Sequence, residues 1–127
     1  MSTTIASPSV YDPGADLTAE ATGAVTAKRF VKIAGNRTSG GNIAVSPAAA
    51  GERPCAVAGN DAAGGGLVRV VRGNSRVVRV TASGAIAANA EVQVGANGTA
   101  QTKAAGLAVG YAVTDAADAT DAEISLY

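Results

Sequence analysis

The chain has 127 residues, the size of one ordinary domain, and its ten basic and ten acidic residues cancel. With no His and a single Cys (Cys55), it lacks the groups for a Ser-His-Asp or Cys-His nucleophile, an imidazole base, a His metal ligand, an internal disulfide or a Cys-based zinc site. Zero net charge argues against general nucleic-acid affinity, and no apolar run approaches the ~18 residues of a membrane span.

Residues 1–22 read MSTTIASPSVYDPGADLTAEAT. Pro8, Pro13 and Gly14 interrupt any regular element, and the apolar residues Ile5, Val10, Tyr11 and Leu17 fit neither the helical nor the strand period. The segment is expected to be an N-terminal arm, either disordered or ordered on a partner through those four anchors. Fully extended, ~22 residues would reach about 70 Å. The start of the chain has neither the basic nor the apolar region of a signal peptide, and one Cys gives no sign of an oxidising compartment.

Residues 23–127 are expected to form one domain of short strands. Val-rich runs recur at Arg29–Ile33, Asn42–Val45, Cys55–Ala58, Leu67–Arg72, Arg76–Thr81, Glu91–Val94, Leu107–Val113 and Glu123–Tyr127. Each has strand length and β-branched character. Gly, Asn, Asp and Ser punctuate them, as at Gly35-Asn36, Gly59-Asn60-Asp61, Gly64-Gly65-Gly66, Ser83-Gly84 and Asn97-Gly98. This pattern predicts an all-β small barrel or sandwich. Ala favours helix, but no Ala-rich stretch keeps three helical turns of apolar periodicity; Thr114–Ala122 is the best helical candidate, or a long acidic turn.

Glu91–Val94 and Thr99–Thr102 are predicted to form a hairpin across Asn97-Gly98, whose residues tolerate positive φ. Residues 68–80, VRVVRGNSRVVRV, are almost a mirror about Asn74. A tight turn there would set Arg72 beside Arg76 and Arg69 beside Arg79, and facing like charges destabilise a hairpin. Either a partner supplies carboxylates, or Gly73 is a bulge in a longer strand. Arg69, Arg72, Arg76 and Arg79 form either a solvated face or a docking face for carboxylates. A nucleic-acid face is the least favoured reading, because no stacking aromatics interleave with these arginines.

Other motifs carry less. Gly64-Gly65-Gly66 lacks the Lys-Ser/Thr of a phosphate loop. Asp115, Asp118, Asp121 and Glu123 lack the alternate spacing and fixed Gly of a calcium loop and read as a solvated turn. Cys55, beside Pro54, reads as a small buried residue. No catalytic, cofactor or metal residue is expected.

Thirty Ala and 16 Gly outweigh the 25 Val, Ile, Leu and Phe residues. At roughly 25 cal/mol per Å2 an Ala methyl offers little burial, so the domain is expected to gain stability by self-association or within an assembly.

The order of segments resembles the Ala/Gly/Val-rich head-decoration (capsid cement) proteins of tailed bacteriophages. The stretches that carry the resemblance are AKRFVKIAG (Ala27–Gly35), RPCAVAGNDAAGGGLVRVVRGNSRVVRV (Arg53–Val80), ASGAIAANAEVQVGANGTAQT (Ala82–Thr102) and GLAVGYAVTDAADATDAEISLY (Gly106–Tyr127). The resemblance covers roughly residues 24–127; Cys55 and the dense arginines between 69 and 79 depart from it. It implies a non-enzymatic virion protein, made in the host cytoplasm and placed on the outer capsid surface. It also implies a homotrimer at three-fold or quasi-three-fold positions that bridges major capsid protein subunits, with no direct nucleic-acid or membrane contact. The rival readings are a virion-displayed receptor- or carbohydrate-binding module and a phage tail or neck subunit. A sugar platform would have to come from Tyr11, Phe30, Tyr111 and Tyr127.

Overall fold

The structure is a computed structural model, and it describes residues 10–11 and 15–127. Ten strands follow one another: β1 (Asp16–Ala21), β2 (Phe30–Ile33), β3 (Ile43–Pro47), β4 (Ala56–Ala58), β5 (Leu67–Val71), β6 (Val77–Thr81), β7 (Glu91–Val94), β8 (Ala100–Thr102), β9 (Gly110–Ala112) and β10 (Asp121–Leu126). One 3-10 turn, Ala96–Gly98, interrupts them. The protein is all-β.

Alternation decides which way each strand faces. In β5 and β6, Val68, Val70, Val78 and Val80 point inward while Leu67, Arg69, Val77 and Arg79 point out. β1 to β5 close into a barrel in the order β1-β3-β2-β4-β5, and β6 to β10 form a second sheet in the order β6-β10-β9-β7-β8.

The two sheets are copies of one plan. In each, the first strand runs antiparallel to the fifth, with Ala19 opposite Val68 and Val80 opposite Ala122. The second strand pairs with the fourth, Val31 with Ala56 and Val92 with Gly110. The second also pairs with the third, Ile33 with Val45 and Val94 with Ala100. A parallel contact closes each circuit: Ala21 with Val45, and Ala82 with Ala100.

The corners repeat as well. Val25 bridges Ala62, and Ile86 bridges Ala116. Asp61 Oδ1 accepts from Ala27 N (2.7 Å), and Asp115 Oδ1 accepts from Ala88 N (2.7 Å). Each corner turns on a residue of positive φ: Lys28 and Gly65 in the first lobe, Asn89 and Ala119 in the second. The sequence echoes this, ATGAVTA (21–27) against ASGAIAA (82–88) and AGNDAAGG (58–65) against AVTDAADA (112–119). The single domain expected after residue 22 is thus a pair of similar lobes.

The first lobe is filled by Leu17, Ala19, Ala21, Val25, Val31, Val45, Ala56, Ala58, Val68 and Val70. Leu17, Ala19 and Ala21 come from β1, so the expected arm boundary at residue 22 falls inside the barrel. The apolar alternation of DLTAEA rests on two alanines, whose small side chains make a faint signal.

The second core is not confined to its own lobe. Phe30, Ala48 and Val57 of the first lobe join Val80, Ile86, Val92, Val94 and Ile124 in one buried cluster. Phe30 lies on the outer face of the first barrel, out of register with Val31 inside it, and its ring fills the junction. The turn at Gly98 (φ 78°) lies against β2 so closely that a Cβ there would meet the Phe30 carbonyl. Hydrogen bonds cross the junction from Thr81 N to Lys28 O (3.0 Å), Gly51 N to Val94 O (2.8 Å) and Arg29 Nη1 to Asn97 O (3.1 Å).

The predicted hairpin across Asn97-Gly98 is present as β7 and β8, with both turn residues at positive φ. The mirror-like segment 68–80 is neither a hairpin nor one bulged strand. β5 closes the first lobe against β1 and β4, β6 opens the second against β10, and residues 72–76 carry the chain across. Period-2 alternation fixes the faces of a strand but not its partners, which here lie far along the chain. Thr114–Ala122 is a turn leading into β10, not a helix.

Candidate interaction surfaces

The four arginines singled out by sequence divide into two pairs. Arg69 and Arg76 converge on Asp16, at the head of β1. Arg69 donates through Nε (3.0 Å) and Nη2 (2.5 Å) to Oδ2, and Arg76 Nη1 donates to Oδ1 (2.5 Å). Arg76 also reaches the Ala15 carbonyl (3.1 Å). These hydrogen bonds, Arg69 first and then Arg76, hold the Asp16 carboxyl below its ordinary 3.8. The carboxylate expected from a partner is, for these two, supplied by the chain itself.

Arg72 and Arg79 are exposed, and among the described residues neither forms an ion pair. Arg79 stands opposite Glu123 in β10. Arg72 edges a cleft of about 410 Å3 between the lobes, lined by Phe30, Cys55, Leu107, Leu126 and Tyr127 among others. Cys55, expected to be buried, is only half-buried on the cleft wall, and that burial pushes its thiol above the ordinary value while Arg72 offsets part of the rise.

The proposed arm anchors lie apart. Ile5 falls outside the described residues. Val10 is 74% exposed. Tyr11 accepts a hydrogen bond from Arg37 Nη1 (2.9 Å) and lies under its guanidinium (5.6 Å to the ring centre), against the first lobe of its own chain. Leu17 is inside the barrel, so it anchors the core and not a partner.

Sequence reasoning missed a surface on the second lobe. Val77, Tyr111, Val113 and Tyr127 are all more than a third exposed. Tyr111 and Tyr127 stack at a tilt, 6.2 Å between ring centres, and the Tyr127 hydroxyl donates to Glu91 Oε2 (2.7 Å). That bond pushes the Tyr127 hydroxyl above its ordinary 10. The sequence signal for this face is slight: one Tyr in the three-residue strand β9 and one just beyond the end of β10. Phe30 is buried at the lobe junction, which removes it from any sugar platform.

Three of the four residues of the acidic run bind within the chain. Asp115 and Asp118 accept from the backbone N–H groups of Ala88 and Gly84 (2.7 Å each), and Asp121 pairs with Lys28 (2.7 Å). Among the described residues no group of three or more His, Cys, Asp or Glu could hold a metal ion, and no helix is long and apolar enough to cross a membrane.

No family model and no curated protein sequence matches the chain. Among solved structures it is similar to the crystal structure of the head fiber gp8.5 N base of bacteriophage phi29, with a TM-score of 0.75 and 26% identity over 88% of this chain and 92% of that one. The resemblance to phage head proteins carried by the sequence and this likeness in three dimensions agree. Over nearly its whole described length, two lobes included, the chain is similar in fold to the base of a bacteriophage head fiber.

Proposed function

We propose that this chain is a structural protein of a bacteriophage head that acts as a decoration protein. It sits on the outer surface of the capsid, binds the major capsid protein and bridges neighbouring subunits as a homotrimer. The observation that carries this reading is the likeness to the phi29 head fiber base, which spans both lobes. The composition is in keeping with it: the core is thin and Ala-rich, the chain has no His, and several of its described carboxylates, Asp61, Asp115 and Asp118 among them, cap backbone N–H groups. Many copies on a shell make modest individual contacts sufficient.

Of the four arginines between 69 and 79, Arg72 and Arg79 are the two left to meet acidic groups on the shell, since Arg69 and Arg76 are held by Asp16. Purified protein should add to heads that lack it and appear by electron microscopy as density on the outer surface. The Arg72→Glu, Arg79→Glu double variant should fold normally and lose about tenfold or more in occupancy. Density on a tail or neck, or full occupancy by the double variant, would sink this assignment.

A further inference from the structure

We infer that the outer face of the second lobe around Tyr111 docks on the exposed end of the first lobe of a second copy, near Ile33. This contact repeats between chains the one that the two lobes make within a chain. It names the surfaces for the self-association assumed above, but it stands on the internal repeat alone.

The outer face of the first lobe carries the row Phe30, Val57, Val71, set by the pairs Phe30 with Val57 and Val57 with Val71. That row is covered by the second lobe. The same registers in the second lobe hold Glu91, Tyr111 and Ser125, with Val77 next along. There Ser125 is buried (5%), but the residues around it are open: Tyr111 is 37%, Val77 53%, Val113 44% and Tyr127 56% exposed.

The receiving side has the same asymmetry. The second lobe meets the first at Val94, which is fully buried, with the Asn97-Gly98 turn beside it and the Gly51 N–H bonded to its carbonyl. The register position of Val94 is taken in the first lobe by Ile33, paired with Val45 as Val94 is with Ala100. Ile33 is 53% exposed. One chain therefore holds one used and one unused example of each half of the same contact.

Charge fits the pairing. The open face has Glu91 and Glu123, with Arg79 opposite the latter. The open end has Lys32, Arg37 and Arg53, with Glu52 bound to Lys32 (2.8 Å). The contact joins unlike surfaces, so copies add head to tail and form a ring if the rotation closes or a fibre if it does not.

Sedimentation of the full-length chain without heads tests this. The wild type should self-associate. Tyr111→Asp and Ile33→Asp should each weaken association about tenfold or more while keeping the wild-type circular dichroism, and should melt as the wild type does when it is diluted to monomer. Val113→Asp serves as a second face variant should Tyr111→Asp unfold. Mixing Tyr111→Asp with Ile33→Asp should restore pairs that stop at two, because one intact end then meets one intact face. A wild type that stays monomeric at its highest soluble concentration, variants that associate as the wild type does, or a mixture that stays monomeric would each overturn the inference. A monomeric wild type would also remove the homotrimer from the proposed function, whereas head binding itself is read separately, by density on heads.

Discussion

Replacing Phe30 by Ala should destabilise both lobes together. The ring is 1% exposed, and its backbone belongs to β2 of the first lobe while its ring lies in the core of the second. Removing it deletes the largest fully buried side chain and opens a gap beside Val57 and Val94. Buried Phe→Ala changes cost about 3–5 kcal/mol against a total stability of roughly 5–15 kcal/mol. Its neighbour supplies the control. Val31→Ala points into the first barrel alone and removes about two methylene equivalents, near 1.6 kcal/mol before any cavity cost. Urea unfolding should be followed by circular dichroism and by tyrosine fluorescence in a Tyr11→Phe background, where, with no Trp, the remaining Tyr111 and Tyr127 both report from the second lobe. The two signals should move together by the full amount in Phe30→Ala. A loss below about 1 kcal/mol, or a fluorescence transition that stays in place while the dichroism shifts, would refute the shared core.

Other outcomes follow from local geometry. Asp16 has a depressed pKa, so its bonds to the two arginines stabilise the fold above its ordinary 3.8 and fade as pH falls through the lower folded value. Asp16→Asn should flatten that acid limb of a stability–pH curve, and an unchanged limb would remove the bonds from the account. Tyr127 has a raised pKa, so its bond to Glu91 favours the fold below pH 10 and is lost as pH rises through the folded value. Subtracting the phenolate absorbance curve of Tyr127→Phe from that of the wild type should leave a step above pH 10. Ala119 turns a corner at φ 62°, where Gly carries no Cβ penalty, so Ala119→Gly should raise stability by about 0.5–1 kcal/mol in thermal unfolding. Gly98→Ala should do the reverse, losing more than about 2 kcal/mol, because it adds a Cβ at positive φ against the Phe30 carbonyl.

The strands were legible where Val supplied the alternation. β2 to β8 lie within one or two residues of the runs that predict them, and the β7–β8 hairpin follows from Asn-Gly chemistry. β1 was not legible because Ala19 and Ala21 do the work that Val does elsewhere, and a buried Ala looks like any other Ala in a chain this rich in it. The repeat was hidden for a related reason. The corners conserve small residues and one capping Asp, whereas the strands between them change freely as long as inward positions stay apolar. The arginine group was visible as charge, but which members stay available depends on Asp16, a residue distant in sequence that β1–β5 pairing brings alongside.

The way β1 is held has a mechanical consequence. Asp16 to Glu20 pair with β5 on one side, and Ala19 to Ala21 pair with β3 on the other. A pull on the chain ahead of Asp16, directed along the strand, loads these hydrogen bonds in shear, so they yield together and not one after another. Arg69 and Arg76 grip Asp16 at the point where the force enters, and Arg76 passes part of it directly to the segment that joins the lobes. β1 is therefore fastened like a tether, and tension entering at Asp16 reaches both its sheet partners and the segment that joins the lobes.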